Sequence, residues 1–445
     1  MASDLLSIGA SGARAARGAL EVTANNIANA STDGYVRRSI RIEEVSGGGM
    51  AGRGEDISVS GSRVAEVRRN ADSFRQAEMR RTQADLQRSN VELAGLQNIE
   101  SAVEQSDIFG SIVEFEASLQ QLAGDPTDSA RRAAVIAEAE TLASKFNITA
   151  GSLASVGDGL RFNAAGDVDN MNTYGAELAR VNLRLARSGG GSNDQAALLD
   201  QRDNLLERMS AFASITTTFA SDGTVAVGVG NPATAFVTGG NASVMSSALA
   251  ADGTISFAID GQAVAPGSGS LTGAALALSE LADMGARLDA AALSIATTIN
   301  AAQASGAALD GSPGQPIFGG TTAGTLTVTM RSGAGLATAR AGSVANERDQ
   351  SNLQDMRDAL AIANPSADIN SILFDVSSKV AGRAVTQGAL ETIASSARIA
   401  LEEQSGVDLD NEAANLIRYQ QAFQASGRAM QVASDIFDTL LGIGR

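Results

Sequence analysis

Ser405-Gly406-Val407-Asp408-Leu409-Asp410-Asn411-Glu412 opens the C-terminal segment, and within that segment Leu409, Leu416, Phe423, Met430 and Phe437 stand seven apart. Tyr419, Ala433 and Leu440 each lie three beyond one of them. A repeat of seven puts these side chains on one stripe of a helix. Asp408 or Asp410 is placed to cap its start, and Gly442 and Gly444 to stop it. The opposite end carries a thinner stripe of the same period. There Leu6, Ala13, Leu20 and Ile27 fall seven apart, with Ala16, Thr23 and Ala30 between them, and Asp33-Gly34 supplies a turn. Two such stripes either pair with each other or pack separately on a globular body. Periodicity alone does not choose between these.

Composition narrows the functions open to the chain. Its 445 residues suffice for two to four domains, and 44% hydrophobic against 19% charged residues indicates folded structure rather than disorder. No run of about 18 apolar residues is present, so no membrane helix is expected. Asp4, Ser7 and Ser11 interrupt any apolar leader, so no cleaved signal peptide is expected. The net charge is −17, and residues 1–90 hold 13 Arg against 11 acidic residues, so the acidity lies in the rest. An acidic chain without a basic stripe is a poor nucleic-acid binder. There is no His and no Cys. That removes the Ser-His-Asp and Cys-His nucleophile systems and the ordinary zinc and 2-His-1-carboxylate iron sites. No cofactor is expected.

Amphipathic helical patterns fill the middle. Leu86, Leu93, Leu96, Ile99 and Val103 form one. Ile112, Phe115, Leu119 and Leu122 form a second, and Val135, Ala139, Leu142 and Phe146 a third after the turn Asp125-Pro126-Thr127-Asp128. Met171, Tyr174, Leu178, Val181 and Leu185 form a fourth. Over 216–270 the period changes to two, with Val225, Val227, Val229 and Ile255, Phe257, Ile259 alternating. Asp222-Gly223, Asp252-Gly253 and Asp260-Gly261 are hairpin signals. The reading is α+β and mainly α: an elongated rod with the N- and C-terminal helices paired as a coiled coil. Residues 1–45 and 405–445 form the coiled-coil domain. Residues 46–215 and 271–404 form a helical rod domain, and 216–270 a small inserted β domain.

The ends carry a resemblance. Ala24-Asn25-Asn26-Ile27-Ala28-Asn29 followed by Gly34-Tyr35 resembles the N-terminal signature of the flagellar rod, hook and hook-associated axial proteins. The run from Ser405 through Leu416, Tyr419 and Phe423 resembles its C-terminal counterpart. In the middle, Leu199-Asp200-Gln201-Arg202-Asp203 resembles a stretch of the hook-associated members. The resemblance implies a structural, non-enzymatic subunit between hook and filament in the extracellular flagellum, exported without cleavage. The implied partners are further copies of itself in a ring, the hook protein, the second junction protein and the filament subunit. An export chaperone on the C-terminal helix is also implied. Subunit packing is expected along Leu6, Leu20, Ile27, Leu409, Leu416, Tyr419, Phe423, Met430, Phe437 and Leu440. The alternatives are another axial protein, a non-flagellar coiled-coil adaptor, or a surface enzyme.

Three motifs have simpler readings. Gly47, Gly49 and Gly52 fit G-x-G-x-x-G, but a strand pattern follows where a dinucleotide site needs a helix. Asp408, Asp410 and Glu412 start like a calcium loop, but Ala413 stands where that loop needs Gly, so capping is the better reading. Asp200, Arg202 and Asp203 are read as salt-bridging residues rather than a catalytic cluster.

Overall fold

The computed structural model describes residues 2–32, 34–46, 59–188 and 193–443. The Gly47–Gly52 motif lies outside them. In chain order, α1 (Ala2–Ala28) is followed by β1 (Arg38–Ser46), β2 (Val59–Arg69), α2 (Ser73–Glu104), α3 (Ile108–Ala123), α4 (Ser129–Leu185) and α5 (Asn193–Phe212). Strands β3 (Ile215–Phe219), β4 (Val225–Val229), β5 (Thr234–Thr238), β6 (Asn241–Ala242), β7 (Met245–Leu249), β8 (Ile255–Ile259) and β9 (Gln262–Val264) come next. Then come α6 (Gly269–Ala304), β10 (Gly306–Ala307), β11 (Phe318–Gly319), β12 (Thr327–Val328), β13 (Ala339–Arg340), α7 (Ser351–Ala363), α8 (Pro365–Ser405) and α9 (Leu409–Ile443). The fold is α+β and mainly α. Its contacts divide it into two compact units: residues 1–84, 171–244 and 392–445 in one, 85–170 and 245–391 in the other.

In the first unit α1 packs along α9 and against the antiparallel hairpin β1–β2. Small residues set the approach. A Cβ on Gly9 would lie 2.6 Å from Met430 Cγ, and one on Gly12 would lie 2.9 Å from Ser426 Oγ. Position 9 meets 430 and position 12 meets 426, so the helices run antiparallel. The sheet β3-β4-β5-β6 buries Val225, Val227 and Val229. It is held to α4 by Asn182, whose Nδ2 donates to the carbonyls of Val225 (2.8 Å) and Gly239 (2.9 Å) and whose Oδ1 accepts from Val225 N.

The second unit has a large apolar core. The stripes Ile112, Phe115, Leu119, Leu122 of α3 and Val135, Ala139, Leu142, Phe146 of α4 are buried in it. Leu288, Ile295 and Ile299 of α6 and Leu353, Met356 and Leu360 of α7 complete it. Asp128 Oδ1 caps α4, accepting from Ala130 N (2.7 Å) and Arg131 N (3.1 Å). Arg132 is fully buried without a carboxylate. It donates to the carbonyls of Pro126, Gly333 and Leu336 and to Thr338 Oγ1, pinning the loop 333–338.

The single β domain expected over 216–270 is two sheets, which divide between the units at Val244 and Met245. They share one device. Ala220-Ser221-Asp222-Gly223-Thr224 and Ala250-Ala251-Asp252-Gly253-Thr254 form the same turn, joining β3 to β4 and β7 to β8 in the same register. In each, the Asp Oδ1 accepts from the Thr amide and hydroxyl, and the Gly takes positive φ. Each hairpin is amphipathic and must cover an apolar surface, so alternation marks the strands without saying which body they join. Ala308-Leu309-Asp310-Gly311-Ser312 is a third copy of the turn.

Candidate assembly site: the terminal helices and a charged clasp

Of the large residues in the two stripes, Met430 lies against Gly9 in the contact between α1 and α9, and none of those whose side chains are described is fully buried. The residues buried along α1, which packs on both α9 and the hairpin, include Ala15, Ala16, Ala19, Val22, Thr23 and Asn26, and along α9 they include Ala433. Leu20, Ile27, Leu416, Tyr419 and Met430 are half-buried. Leu6 (44%), Leu409 (54%), Phe423 (44%) and Phe437 (50%) stay exposed. The Leu440 side chain lies outside the described residues. The reason is steric. Gly9, Gly12, Ser426 and Ala433 let the backbones close, and that contact turns the bulky side chains outward.

Beyond the helix pair, family-signature residues from three parts of the sequence converge within the first unit. Asn26 is buried and binds both backbone groups of Arg38. Its Nδ2 donates to the Arg38 carbonyl (2.8 Å), and its Oδ1 accepts from Arg38 N (3.0 Å) and Tyr35 Oη (2.9 Å). The Arg38 side chain thereby points at Asp200, with Nη2 3.0 Å from Oδ2. Arg69, at the end of β2, bridges two carboxylates: it lies 2.7 Å from Asp200 Oδ1 and 2.9 Å from Asp203 Oδ2. Arg202 closes on Asp203 Oδ1 at 2.6 Å and donates to the Gly223 carbonyl in the β3–β4 turn. Gln76 of α2 donates to Asp203 Oδ2 at 3.0 Å. Arg37 reaches the buried Glu412 of α9 at 2.7 Å, while its amide donates to the Ser405 carbonyl.

The two carboxylates balance differently. Burial pushes the Asp200 carboxyl above its usual range, and Arg69 and Arg38 only partly oppose it. Burial acts on Asp203 too, but Arg202 and Arg69 outweigh it and hold the carboxyl below its usual range. Burial also raises the Tyr35 phenol. Apart from Arg38 Nε, which is buried without a partner, the charged groups named here are held on one another or on backbone, so the network binds segments together. Asp408 caps α9 by accepting from Asp410 N (2.9 Å) and Asn411 N (3.2 Å).

Asp200, Arg202 and Asp203 do form salt bridges, though buried ones. Asn25 and Asn29 lie outside the clasp, each donating to the backbone four residues back along the chain. Gly34 takes φ +73° beside Asn204, Gln201 is exposed, and Leu199 underlies Gly223. Sequence reading missed Arg37, Arg38, Arg69 and Gln76. The surplus of Arg over acidic residues in 1–90 was the available signal, since a planar guanidinium bridges two carboxylates where an ammonium does not.

Comparison with known proteins follows the same geography. Residues 93–318 match the family described as "Flagellar hook-associated protein FlgK helical domain". Residues 6–35 match "Flagella basal body rod protein", and 400–443 match "Flagellar basal body rod FlgEFG protein C-terminal". Flagellar hook-associated protein 1 of Salmonella typhimurium is 29% identical over 233 residues, covering 50% of this chain and 40% of that protein. Its Escherichia coli counterpart is 26% identical over 238 residues (52% and 42%), and that of Bacillus subtilis 27% over 219 (47% and 43%). The chain thus spans about two fifths of the length of these relatives. The flagellar hook junction protein FlgK from Burkholderia pseudomallei superposes with a TM-score of 0.49 at 22% identity, covering 55% of this chain and 46% of its own. With a family match across half its length, flanked by rod-protein matches at both ends, the chain belongs to the flagellar hook-associated protein FlgK family.

Proposed function

We propose that the chain is a structural subunit joining the flagellar hook to the filament, working by packing and without catalysis. The observation that carries this is the outward apolar face of the terminal helices. Leu6, Leu409, Ile417, Phe423 and Phe437 are exposed on the segments matched by the rod-protein families. Apolar side chains repeated along two adjoining helices are covered when copies pack side by side. The occupants are neighbouring copies in a ring, with the hook protein on one side and the second junction protein and filament subunit beyond. Before assembly the same C-terminal face is held by an export chaperone, and the chain leaves the cell without cleavage of its N-terminal region.

Phe423→Asp is the test, since it places an unpaired carboxylate in the face to be buried. Cells of the source strain carrying it should build hooks of normal appearance and release unpolymerised filament subunit into the medium. Normal filaments on that strain would remove this face from the junction.

A further inference from the structure

Helix α8 changes character within the second unit. Ile369, Ile372 and Val376 are buried in the apolar core, and beyond them no residue of 377–391 is fully buried. Steps of three and four residues keep to one helix face, and after Ile372 and Val376 that face continues as Lys379, Arg383 and Gln387. A polar head thus replaces the apolar side chain turn after turn, and each finds a polar partner on α2 or α6. Lys379 pairs with Glu280. Arg383 Nε lies 2.9 Å from Glu92 Oε1, and Gln387 Nε2 donates to Asn90 Oδ1 at 3.2 Å. Val380 and Leu390 are half-buried beside this row. On the outer side Phe374 and Val385 stand 73% and 77% exposed, so the body holds this stretch from one side.

Independent features weaken the attachment. Lys379 and Glu280 are both partly exposed, and ion pairs of that kind contribute little. Arg383 is likewise half in solvent, and only its partner Glu92 is buried. The α2 surface beneath is short of partners. Ser89 falls between Asn90 and Glu92 on the helix face and is 2% exposed, and its hydroxyl has no partner. Arg88 Nε beside it is also buried without one. Buried polar atoms left unmade cost stability, so the closed seam is incompletely satisfied. Gly382 and Gly388 stand inside the helix where an added Cβ would meet nothing within 4 Å. Packing does not require them, and glycine in a helix interior makes the helix easier to open.

We propose that residues 377–391 are a detachable strap, which lifts from α2 and α6 while 365–376 stays anchored in the core. Few buried apolar contacts and a one-sided attachment are what place a segment at the low end of local stability. The pair Arg383–Glu92 is the latch. Glu92 is buried, and losing its guanidinium would leave a carboxylate unpaired in the interior, so this contact resists opening more than the exposed pair at Lys379 does. The device is contained in one unit and does not depend on the junction role.

The test is amide hydrogen exchange of the purified full chain, read by mass spectrometry. In the wild type, amides of 380–391 should exchange about tenfold or more faster than those of 369–376 in the same helix. Arg383→Gln should quicken 380–391 by about a further tenfold, the share of a charge-assisted hydrogen bond, and leave 369–376 unchanged. Gly382→Ala adds a methyl in open space and should slow 380–391 by about threefold. It serves should Arg383→Gln fail to fold. Exchange of 380–391 as slow as that of 369–376 in the wild type would show that the seam is as firm as the core, and the proposal is overturned. Acceleration of both stretches together by Arg383→Gln overturns it equally, since α8 would then open as one body.

Discussion

Asp200 and Asp203 stand three residues apart on α5, and their protons respond in opposite ways to burial in the same clasp. The Asp203 carboxyl is held below its unfolded value, about 3.9. It therefore contributes stability above that pH, and the contribution is lost as pH falls through the folded value. The Asp200 carboxyl is raised, so its ionisation opposes folding, and the fold gains from it as pH falls through the raised value. Asp203→Asn should consequently be the damaging substitution. It leaves Arg202 buried with a neutral partner and Arg69 with Asp200 alone, at a cost of about 3–5 kcal/mol, and it should flatten the acid side of the stability–pH curve. Asp200→Asn should cost less and steepen that side. Urea denaturation followed between pH 3 and 7 measures both. Equal losses from the two would show that the clasp acts as one undivided charge cluster.

At the scale of elements, the turn A-x-D-G-[S/T] recurs three times, and each copy holds its Asp carboxyl low by accepting from the Ser or Thr two residues on. These groups favour the folded state above the unfolded value and release it as pH falls through their own. The triple variant Asp222→Asn, Asp252→Asn, Asp310→Asn keeps an acceptor but cannot titrate. Its melting temperature should depend less on pH below about 4 than the wild type's does. An unchanged acid slope would place the acid sensitivity elsewhere. The three hairpin signals were legible because Asp-Gly and strand alternation are local. The strands' allegiance was not. Whether Val227 covers α4 and Phe257 a different body depends on Asn182 and Gly175, more than forty residues away in sequence. The terminal stripes were legible in part. Heptads of Leu and Phe register bulk, but the α1–α9 contact follows Gly9, Gly12, Ser426 and Ala433, which hydrophobic periodicity scores weakly. The clasp was half legible. Its acids lay in a recognisable run, while the arginines that give the run its meaning come from segments about 130 to 160 residues upstream.

For the whole molecule, two compact units with separate cores should open separately. Phe115 is fully buried in the second unit and meets Phe318 edge-on, with ring centroids 5.8 Å apart. Phe115→Ala should cost about 3–5 kcal/mol, and hydrogen exchange should accelerate across 85–170 and 245–391. Protection of β3–β4 and α5 should be retained. Uniform acceleration over both units would mean that the chain unfolds as one cooperative body.

Arg132 has a consequence for behaviour in salt. The clasp is built from opposite charges, and Arg37, which reaches Glu412, is its more exposed arm. Dissolved ions weaken such a pair as the Debye length shrinks from about 30 Å at 0.01 M to about 3 Å at 1 M. Arg132 gives a mobile anion little to compete for. Its partners are the carbonyls of Pro126, Gly333 and Leu336 and one hydroxyl, all neutral and all but Gly333 buried. Brine should thus loosen the joint between Arg37 and α9 while leaving the loop 333–338 as tight as in fresh water. Amide exchange followed across that salt range should quicken around 405–412 and hold steady at 333–338. Quickening at 333–338 would mean that ion pairs elsewhere keep that loop in place.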